Sequence, residues 1–152
     1  MATKKHKIAV IGIGKIAQDQ HLPVIDKSPD FELAACVSTR GLGHGDVPVF
    51  KTPAALYKAM PDVTAVAICT PPGVRHAYVR EAIDAGRDVL LEKPPTPTIT
   101  EFQDLVAYGE KKGRVLFQTW HSRYNAAVDA ARLILKDEGV ASVRIDWRES
   151  VR

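Results

Sequence analysis

The chain of 152 residues is long enough for one domain with a substantial core and too short for two full domains. Its apolar share of 45% and charged share of 26% are ordinary for a soluble globular protein, and no apolar run approaches the roughly 20 residues that span a bilayer. The net charge of +3 comes from scattered lysines and arginines without a basic block, so neither a membrane nor a nucleic-acid partner is expected.

Short apolar runs alternate with amphipathic stretches along most of the chain, which is typical of a parallel sheet covered by helices on both faces. The pattern predicts an α/β fold with a doubly wound, mostly parallel sheet. The predicted strands are residues 7–11, 32–38, 65–69, 88–91 and 114–119, with a weaker one at 47–50.

Capping residues indicate where the helices begin and end. Pro23 starts a second short segment in the first helical region, and glycines stop several of the later helices. The first three predicted helices are residues 22–27, 53–60 after the cap Thr52, and 74–85 before Gly86. The fourth runs from the capping box of Thr98 and Glu101 to about residue 112, before Gly113. The fifth is 126–138, between Asn125 and Gly139. The apolar face of the last helix, expected to be buried, contains Ala127, Ala131, Ile134 and Leu135.

The two cysteines, Cys36 and Cys69, each lie inside an apolar run predicted to be a buried strand. No cluster of cysteine and histidine accompanies them. We interpret them as buried thiols in a reducing, cytoplasmic compartment rather than as a disulfide or metal ligands, and no metal is expected.

A glycine-rich motif, Gly12-Ile-Gly14-Lys15-Ile16-Ala17, directly follows the first predicted strand and opens a helix. The first glycine permits a tight turn, the second lets the backbone approach a pyrophosphate, and the small third residue lets helix pack on strand. The phosphates would lie on the free N–H groups at the positive helix end. The motif in this context predicts a Rossmann dinucleotide-binding fold; the alternative is a glycine turn kept for packing alone.

The end of the second predicted strand bears on which cofactor is bound. A carboxylate there would bind the adenosine ribose 2′-hydroxyl and repel a 2′-phosphate, but the sequence has Ser38-Thr39-Arg40. Two hydroxyls and a guanidinium suit a phosphate, so NADP is favoured over NAD or at least tolerated. The alternative is a solvated Arg40 with NAD bound by the hydroxyls and the main chain.

Two further motifs follow predicted strands. Thr70-Pro71-Pro72 predicts a rigid, non-helical turn over the crevice, and His76 beyond it either contacts the cofactor or only caps and packs. Glu92-Lys93-Pro94 ends the strand at 88–91. A lysine at this edge points into the crevice, where partial desolvation tunes its pKa and lets it bind a reacting hydroxyl. The alternative for Lys93 is a surface lysine at a strand end, and the Lys93-Pro94 bond can be cis.

Residues 143–151 alternate apolar and polar side chains at period two, which predicts a strand with one buried face. We interpret it as the first strand of a second, antiparallel sheet. The predicted domains are therefore a dinucleotide-binding domain at 1–140 and, at 141–152, the start of a C-terminal domain for substrate binding and oligomerisation.

The order of these motifs resembles that of the glucose-fructose oxidoreductase, inositol dehydrogenase and MocA (Gfo/Idh/MocA) family over essentially the whole chain. The motifs that carry the resemblance are Gly12, Gly14 and Ala17, Thr70-Pro71-Pro72 with His76, Glu92-Lys93-Pro94, and His121-Ser-Arg123-Tyr-Asn125. Within the family, residues 14–23, the double proline and residues 147–152 are similar to dehydrogenases that oxidise the anomeric carbon of an aldose such as D-galactose.

The resemblance implies hydride transfer from the sugar C1 to the nicotinamide, giving an aldonolactone. It implies that Lys93 binds the C1 hydroxyl and helps its proton leave. It further implies that Glu92 and the residues around Gln118, Trp120 and Arg123 line the nicotinamide and ribose side. Two other functions stay open: a non-catalytic dinucleotide sensor, which would not need Lys93, and a dehydrogenase of an inositol, xylose or a sugar acid.

The family's other catalytic pair, an Asp and a His of the second domain, would lie beyond Arg152. We therefore expect the isolated chain to have negligible turnover. Family subunits usually associate through the sheet of the second domain, so a homo-oligomer is expected at full length.

Overall fold

The computed structural model describes residues 5–137, 140–142, 144 and 146. The chain divides into two compact units, Met1–Thr119 and Trp120–Arg152. The strand predicted at 143–151 and the stop at Gly139 fall largely outside the described residues. Within the described part of the chain, no helix has the length and apolar character needed to cross a membrane.

The first unit contains a six-stranded, entirely parallel sheet in the order β3-β2-β1-β4-β5-β6. The strands are β1 (His6–Ile11), β2 (Phe31–Val37), β3 (Val49–Phe50), β4 (Ala65–Ile68), β5 (Asp88–Leu91) and β6 (Leu116–Gln118). The predicted fold class and all six predicted strands are confirmed. Because the strand order reverses between β1 and β4, a crevice opens at the carboxyl ends of these two strands, where ligands bind in open α/β sheets.

The helices agree with the capping pattern. They are α1 (Leu22–Lys27), α2 (Pro53–Ala59), α3 (Arg75–Asp84), α4 (Ile99–Lys112) and α5 (Ala126–Asp137), with 3₁₀ turns at Pro72–Val74 and His121–Tyr124. One feature was not predicted: a π-helical turn, Ala17–His21, precedes α1. The N–H of Leu22 donates to the Ala17 carbonyl five residues back, immediately before Pro23, which has no N–H to donate.

Alternate residues of the strands enter two hydrophobic clusters on opposite faces of the sheet, as the pleat requires. On β1, Ile8 and Val10 lie in the cluster that α1 covers, whereas Ala9 and Ile11 lie in the cluster that α2, α3 and α4 cover. Cys36 and Cys69 are buried free thiols, as predicted. Burial raises the pKa of both thiols, that of Cys69 to about 12, so both are unreactive at neutral pH.

The second unit differs from expectation in one respect. The apolar face of α5 is exposed: Ala127 and Ala131 are exposed, and Ile134 and Leu135 are 66% and 54% exposed. The described part of this unit consists of one 3₁₀ turn and one helix. Within the described part of the unit, α5 has no other helix or strand against which to bury an apolar stripe.

The capping box of α4 provides a test of the local sequence signals. The Thr98 hydroxyl accepts the Glu101 N–H, and the Glu101 carboxylate accepts the Thr98 N–H, both at 3.3 Å. Replacing Thr98 with alanine should lower the free energy of unfolding by about 0.5–2 kcal/mol, because one N-terminal N–H loses its acceptor. Urea unfolding followed by circular dichroism measures the loss. The control Thr100→Ala, at an exposed position of the same helix, should change stability by less than about 0.5 kcal/mol; equal losses would contradict the assignment.

Candidate functional site

A cleft with a volume of about 540 Å³ lies at the carboxyl ends of β1, β2 and β4. Because parallel strands present their carboxyl ends at one edge of a sheet, three segments far apart in sequence meet there. The lining residues are 11–16, 37–40 and 69–71 with Lys51 and Tyr78. The structure thus brings together the predicted site residues Gly12, Gly14, Lys15, Ile16, Ser38, Thr39, Arg40, Thr70 and Pro71.

Gly12 is the point where the backbone of the first turn touches the end of β4. Its φ is +93°, and an added Cβ would come within 2.8 Å of the Thr70 Cγ2 and 2.9 Å of the Thr70 nitrogen. Its N–H donates to the Val37 carbonyl at the end of β2, 2.9 Å away. Both the conformation and the close approach require glycine, so Gly12 holds the three strand ends at their observed spacing.

Gly14 and the residues after it face open space. A Cβ built at Gly14 meets no described atom within 4 Å, so packing against protein does not demand glycine there. Among the described residues, the N–H groups of Gly14, Lys15 and Ile16 have no acceptor. Ala17, by contrast, is fully buried, in the cluster that contains Ile8. The arrangement fits an anionic group seated at the start of the helix.

Thr70 and the turn after it supply a second polar element of the cleft. The Thr70 hydroxyl oxygen is buried and has no hydrogen-bond partner among the described residues. Buried polar atoms are almost always paired, so this one marks a place where a ligand can complete the bonding. Pro71 is extended, with φ −57° and ψ 148°, but Pro72 begins a 3₁₀ turn that runs to Val74. The predicted non-helical turn is therefore found at Pro71 only, because the fixed φ of proline also suits the first position of a helical turn. Together with the open space at Gly14, the unpaired hydroxyl fits a bound dinucleotide.

The end of β2 forms the third wall. The Ser38 hydroxyl accepts the Leu42 N–H at 3.1 Å, so this side chain shapes the loop. Thr39 and Arg40 are exposed on the cleft. Sequence reasoning missed Lys51, whose ammonium donates to the Thr39 carbonyl at 3.1 Å. The feature of the sequence that could have identified Lys51 is its position directly after the weaker predicted strand at 47–50. In the structure this strand, β3, pairs with the end of β2.

Arg75 is a second residue that sequence reasoning missed, although it lies inside the motif that ends at His76. It is only 4% exposed. Its Nε donates to the Thr70 carbonyl at 2.7 Å, and its Nη1 donates to the carbonyls of Glu92 and Pro94. Burial lowers the pKa of Arg75, and the nearby Glu92 partly offsets this effect. This guanidinium ties the loop after β4 to the loop after β5.

Glu92 holds the loop that carries Lys93. One carboxylate oxygen lies 2.8 Å from the His21 Nε2, and the other accepts the Lys93 N–H at 2.9 Å. The Glu92 and His21 side chains are only 10% and 13% exposed. Burial alone would raise the pKa of Glu92, but the hydrogen bonds from His21 and the Lys93 backbone outweigh it, so the pKa lies below its ordinary value. His21, on the unpredicted π-helical turn, was also missed.

Lys93 itself is exposed and follows β5 at the same sheet edge as the cleft. Its side chain makes no hydrogen bond or ion pair with the described residues, and the Lys93-Pro94 peptide bond is cis. Gln118 ends β6 at this edge too. Neither residue is among the described residues that line the cleft.

The remaining predicted site residues lie elsewhere. His76, on α3, pairs with Asp104 of α4 at 2.7 Å and is not among the described residues that line the cleft. Trp120 and Arg123 belong to the second unit, where Arg123 lies 3.5 Å from the Asp129 carboxylate. Their contact with a cofactor stays a prediction.

Comparison with known proteins identifies the class. Residues 6–119 match the Gfo/Idh/MocA family, described as an oxidoreductase family with an NAD-binding Rossmann fold. The match covers most of the chain, including the glycine turn and Glu92-Lys93-Pro94. The chain therefore belongs to the Gfo/Idh/MocA oxidoreductase family, and its resemblance to that family is confirmed.

Two of the similar proteins are galactose 1-dehydrogenases. The chain is 39% identical over 147 residues to galactose 1-dehydrogenase of Pseudomonas fluorescens, covering 96% of the chain and 47% of that protein. It superposes on the crystal structure of D-galactose-1-dehydrogenase from Rhizobium etli with a TM-score of 0.84 and 41% identity, covering 90% of the chain and 44% of that structure. A 3-ketoreductase from Actinomadura kijaniata, solved with TDP-benzene and NADP, matches with a TM-score of 0.77 at 25% identity, over 88% and 44% of the two chains. The chain thus spans about half the length of these relatives.

The buried pair of His21 and Glu92 generates a prediction about stability. His21→Ala leaves the Glu92 carboxylate buried with one partner fewer, so the free energy of unfolding at pH 7 should fall by about 1.5–3 kcal/mol. The folded pKa of Glu92 is lowered, so its stabilisation is complete above its unfolded pKa of about 4.3 and is lost as pH falls through the folded pKa. The effect of the substitution should therefore shrink at pH 3.

Urea unfolding at pH 7 and pH 3 measures both effects. The matched control is His44→Ala, because His44 pairs with Asp26 at 2.7 Å but both side chains are more than one-third exposed. The control should lose no more than about 1 kcal/mol. A His21 effect that equals the control, or that does not change with pH, would contradict the role given to this pair.

Proposed function

We propose that this chain is the cofactor-binding part of an NAD(P)-dependent aldose 1-dehydrogenase acting on D-galactose or a closely similar sugar. The observation that carries the proposal is the placement of Lys93. It follows β5 at the sheet edge that holds the dinucleotide cleft, and its amine has no protein partner among the described residues. The similarity to galactose 1-dehydrogenases over nearly the whole chain supports the choice of substrate.

The chain's residues divide the chemistry between binding and proton handling. The N–H groups after Gly12 hold the pyrophosphate, and the Thr70 hydroxyl adds a hydrogen bond. When bound, the nicotinamide supplies the acceptor for the hydride that leaves the sugar C1, which yields an aldonolactone. The Lys93 amine holds the C1 hydroxyl and assists departure of its proton. The Glu92 carboxylate accepts the Lys93 N–H, and Arg75 donates to the carbonyls of Glu92 and Pro94 on either side of Lys93, so the backbone that carries the amine is held in place.

NADP is the cofactor that the cleft favours. Its described lining includes three cations, Lys15, Arg40 and Lys51, and no carboxylate that would repel a 2′-phosphate. An arginine forms strong, charge-assisted hydrogen bonds with phosphate. The similar 3-ketoreductase from Actinomadura kijaniata was solved with NADP, which agrees with this preference.

The rest of the sugar site is assigned to a second domain. We place its start at about residue 141. The proposal of a further domain is supported by the length of the two galactose dehydrogenases, of which the chain covers 47% and 44%. That domain would supply the sugar-binding wall and the contacts between subunits. A screen of the full-length protein against several aldoses, inositol and sugar acids, with both cofactors, tests the substrate. No turnover of any of them would favour a dinucleotide sensor instead.

The role of Lys93 is tested in the full-length enzyme. Lys93→Met should lower kcat by at least 100-fold, the usual order for loss of a general acid or base, while the Kd for the cofactor changes by less than about threefold. Steady-state kinetics and cofactor titration give the two quantities. The control Lys111→Met, in the last turn of α4, should leave both unchanged. Survival of kcat within a few-fold would show that Lys93 is structural.

The cofactor preference is tested at Arg40. Arg40→Ala should weaken NADP binding by about 1.5–3 kcal/mol, the usual size for a hydrogen bond to a charged group, and hardly affect NAD. Calorimetric titration of the chain with each cofactor measures this. Equal losses for the two cofactors would refute the assignment of Arg40 to a 2′-phosphate.

A further inference from the structure

Lys51 lies beside the backbone that carries Arg40. The pairing of Val37 with Phe50 aligns the ends of β2 and β3, so the residues that follow both strands meet at one edge. The Lys51 ammonium donates to the Thr39 carbonyl at 3.1 Å and would lie 3.5 Å from a Cβ added at Gly41. Lys51 thus contacts the backbone of Thr39, before Arg40, and lies close to the backbone of Gly41, after Arg40.

The charges at this end of the cleft are uncompensated. Neither Arg40 nor Lys51 forms an ion pair with any described residue, whereas Lys15, the third cation of the cleft, is paired with Asp19. Two like charges that line one cleft repel each other unless an anion lies between or beside them. After its bond to Thr39, the Lys51 ammonium keeps two N–H donors for such an anion.

The loop that carries Arg40 is held in place by hydrogen bonds within the protein. Ser38 accepts two N–H groups, that of Gly41 with its carbonyl and that of Leu42 with its hydroxyl, each at 3.1 Å. His44, farther along the loop, lies 2.7 Å from the Asp26 carboxylate of α1. A restrained loop loses little conformational entropy when a ligand binds, so Arg40 is carried on a preorganised backbone beside Lys51.

We propose that Lys51 is a specificity-determining residue that, with Arg40, binds a phosphate monoester on the adenosine ribose 2′ position. This inference rests on the proposed use of NADP and adds to it a second cation from a different strand. A dianionic monoester offers three acceptor oxygens, enough for the fork of an arginine and the point charge of a lysine. NAD carries only a hydroxyl at this position and gains much less from Lys51.

Fluorescence titration of the chain with NADPH and NADH tests the inference. Lys51→Met should raise the Kd for NADPH by about tenfold or more, as expected for a lost bond to a charged group, and change the Kd for NADH by less than about twofold. Lys51→Arg should retain NADPH binding within about threefold. The control Lys58→Met removes the same charge from α2, outside the residues that line the cleft, and should change neither Kd. Circular dichroism melting establishes that each variant is folded.

The outcomes separate this inference from the proposed cofactor preference. If Arg40→Ala weakens NADPH selectively but Lys51→Met does not, NADP use stands and the role of Lys51 is overturned. If Lys51→Met weakens both nucleotides equally, Lys51 only holds the Thr39 loop and the inference is likewise overturned. If the unaltered chain binds NADPH no more tightly than NADH, or binds neither, both proposals fail together.

Discussion

The contact between Gly12 and the end of β4 is the constraint on which the rest of the site depends. A side chain at this position would press within 2.8 Å of Thr70, and the φ of +93° would strain it as well. Because a glycine backbone fits at position 12, the turn after β1 lies between the ends of β2 and β4. The helix that follows this turn therefore begins with its N–H groups at the crevice. The same approach places Thr70, with its unpaired buried hydroxyl, beside the glycine turn.

Buried charge organises the other side of the crevice. Arg75 donates to carbonyls from the loops after β4 and β5, and the Glu92 carboxylate joins His21 to the Lys93 backbone. Removing charged groups from water is costly unless they are hydrogen-bonded, and Arg75 and Glu92 both are. The helical segment after the glycine turn, which carries His21, and the loop that carries Lys93 are thus held by one connected set of hydrogen bonds.

The two cations after β2 and β3, Arg40 and Lys51, are by contrast not paired with a carboxylate of the described residues, whereas Arg80, Lys112 and Lys15 all have carboxylate partners. A protein gains nothing in stability from two unpaired like charges at one end of a cleft. Their placement is instead suited to a ligand that brings negative charge, as the proposed NADP does.

The sequence by itself determined the sheet, the helix caps and the identity of the strand-end motifs, because apolar period, capping residues and glycine turns are local signals. Gly12, Thr70 and Lys93 could therefore be identified from their positions after predicted strands. Only the tertiary structure decided the partners: His76 pairs with Asp104, His21 with Glu92, and Arg75 with three carbonyls. These contacts join residues of different elements, up to 71 positions apart. A local sequence pattern does not predict these contacts, because strand order and the direction of each helical turn decide which side chains meet. The π-helical turn that carries His21 is one example.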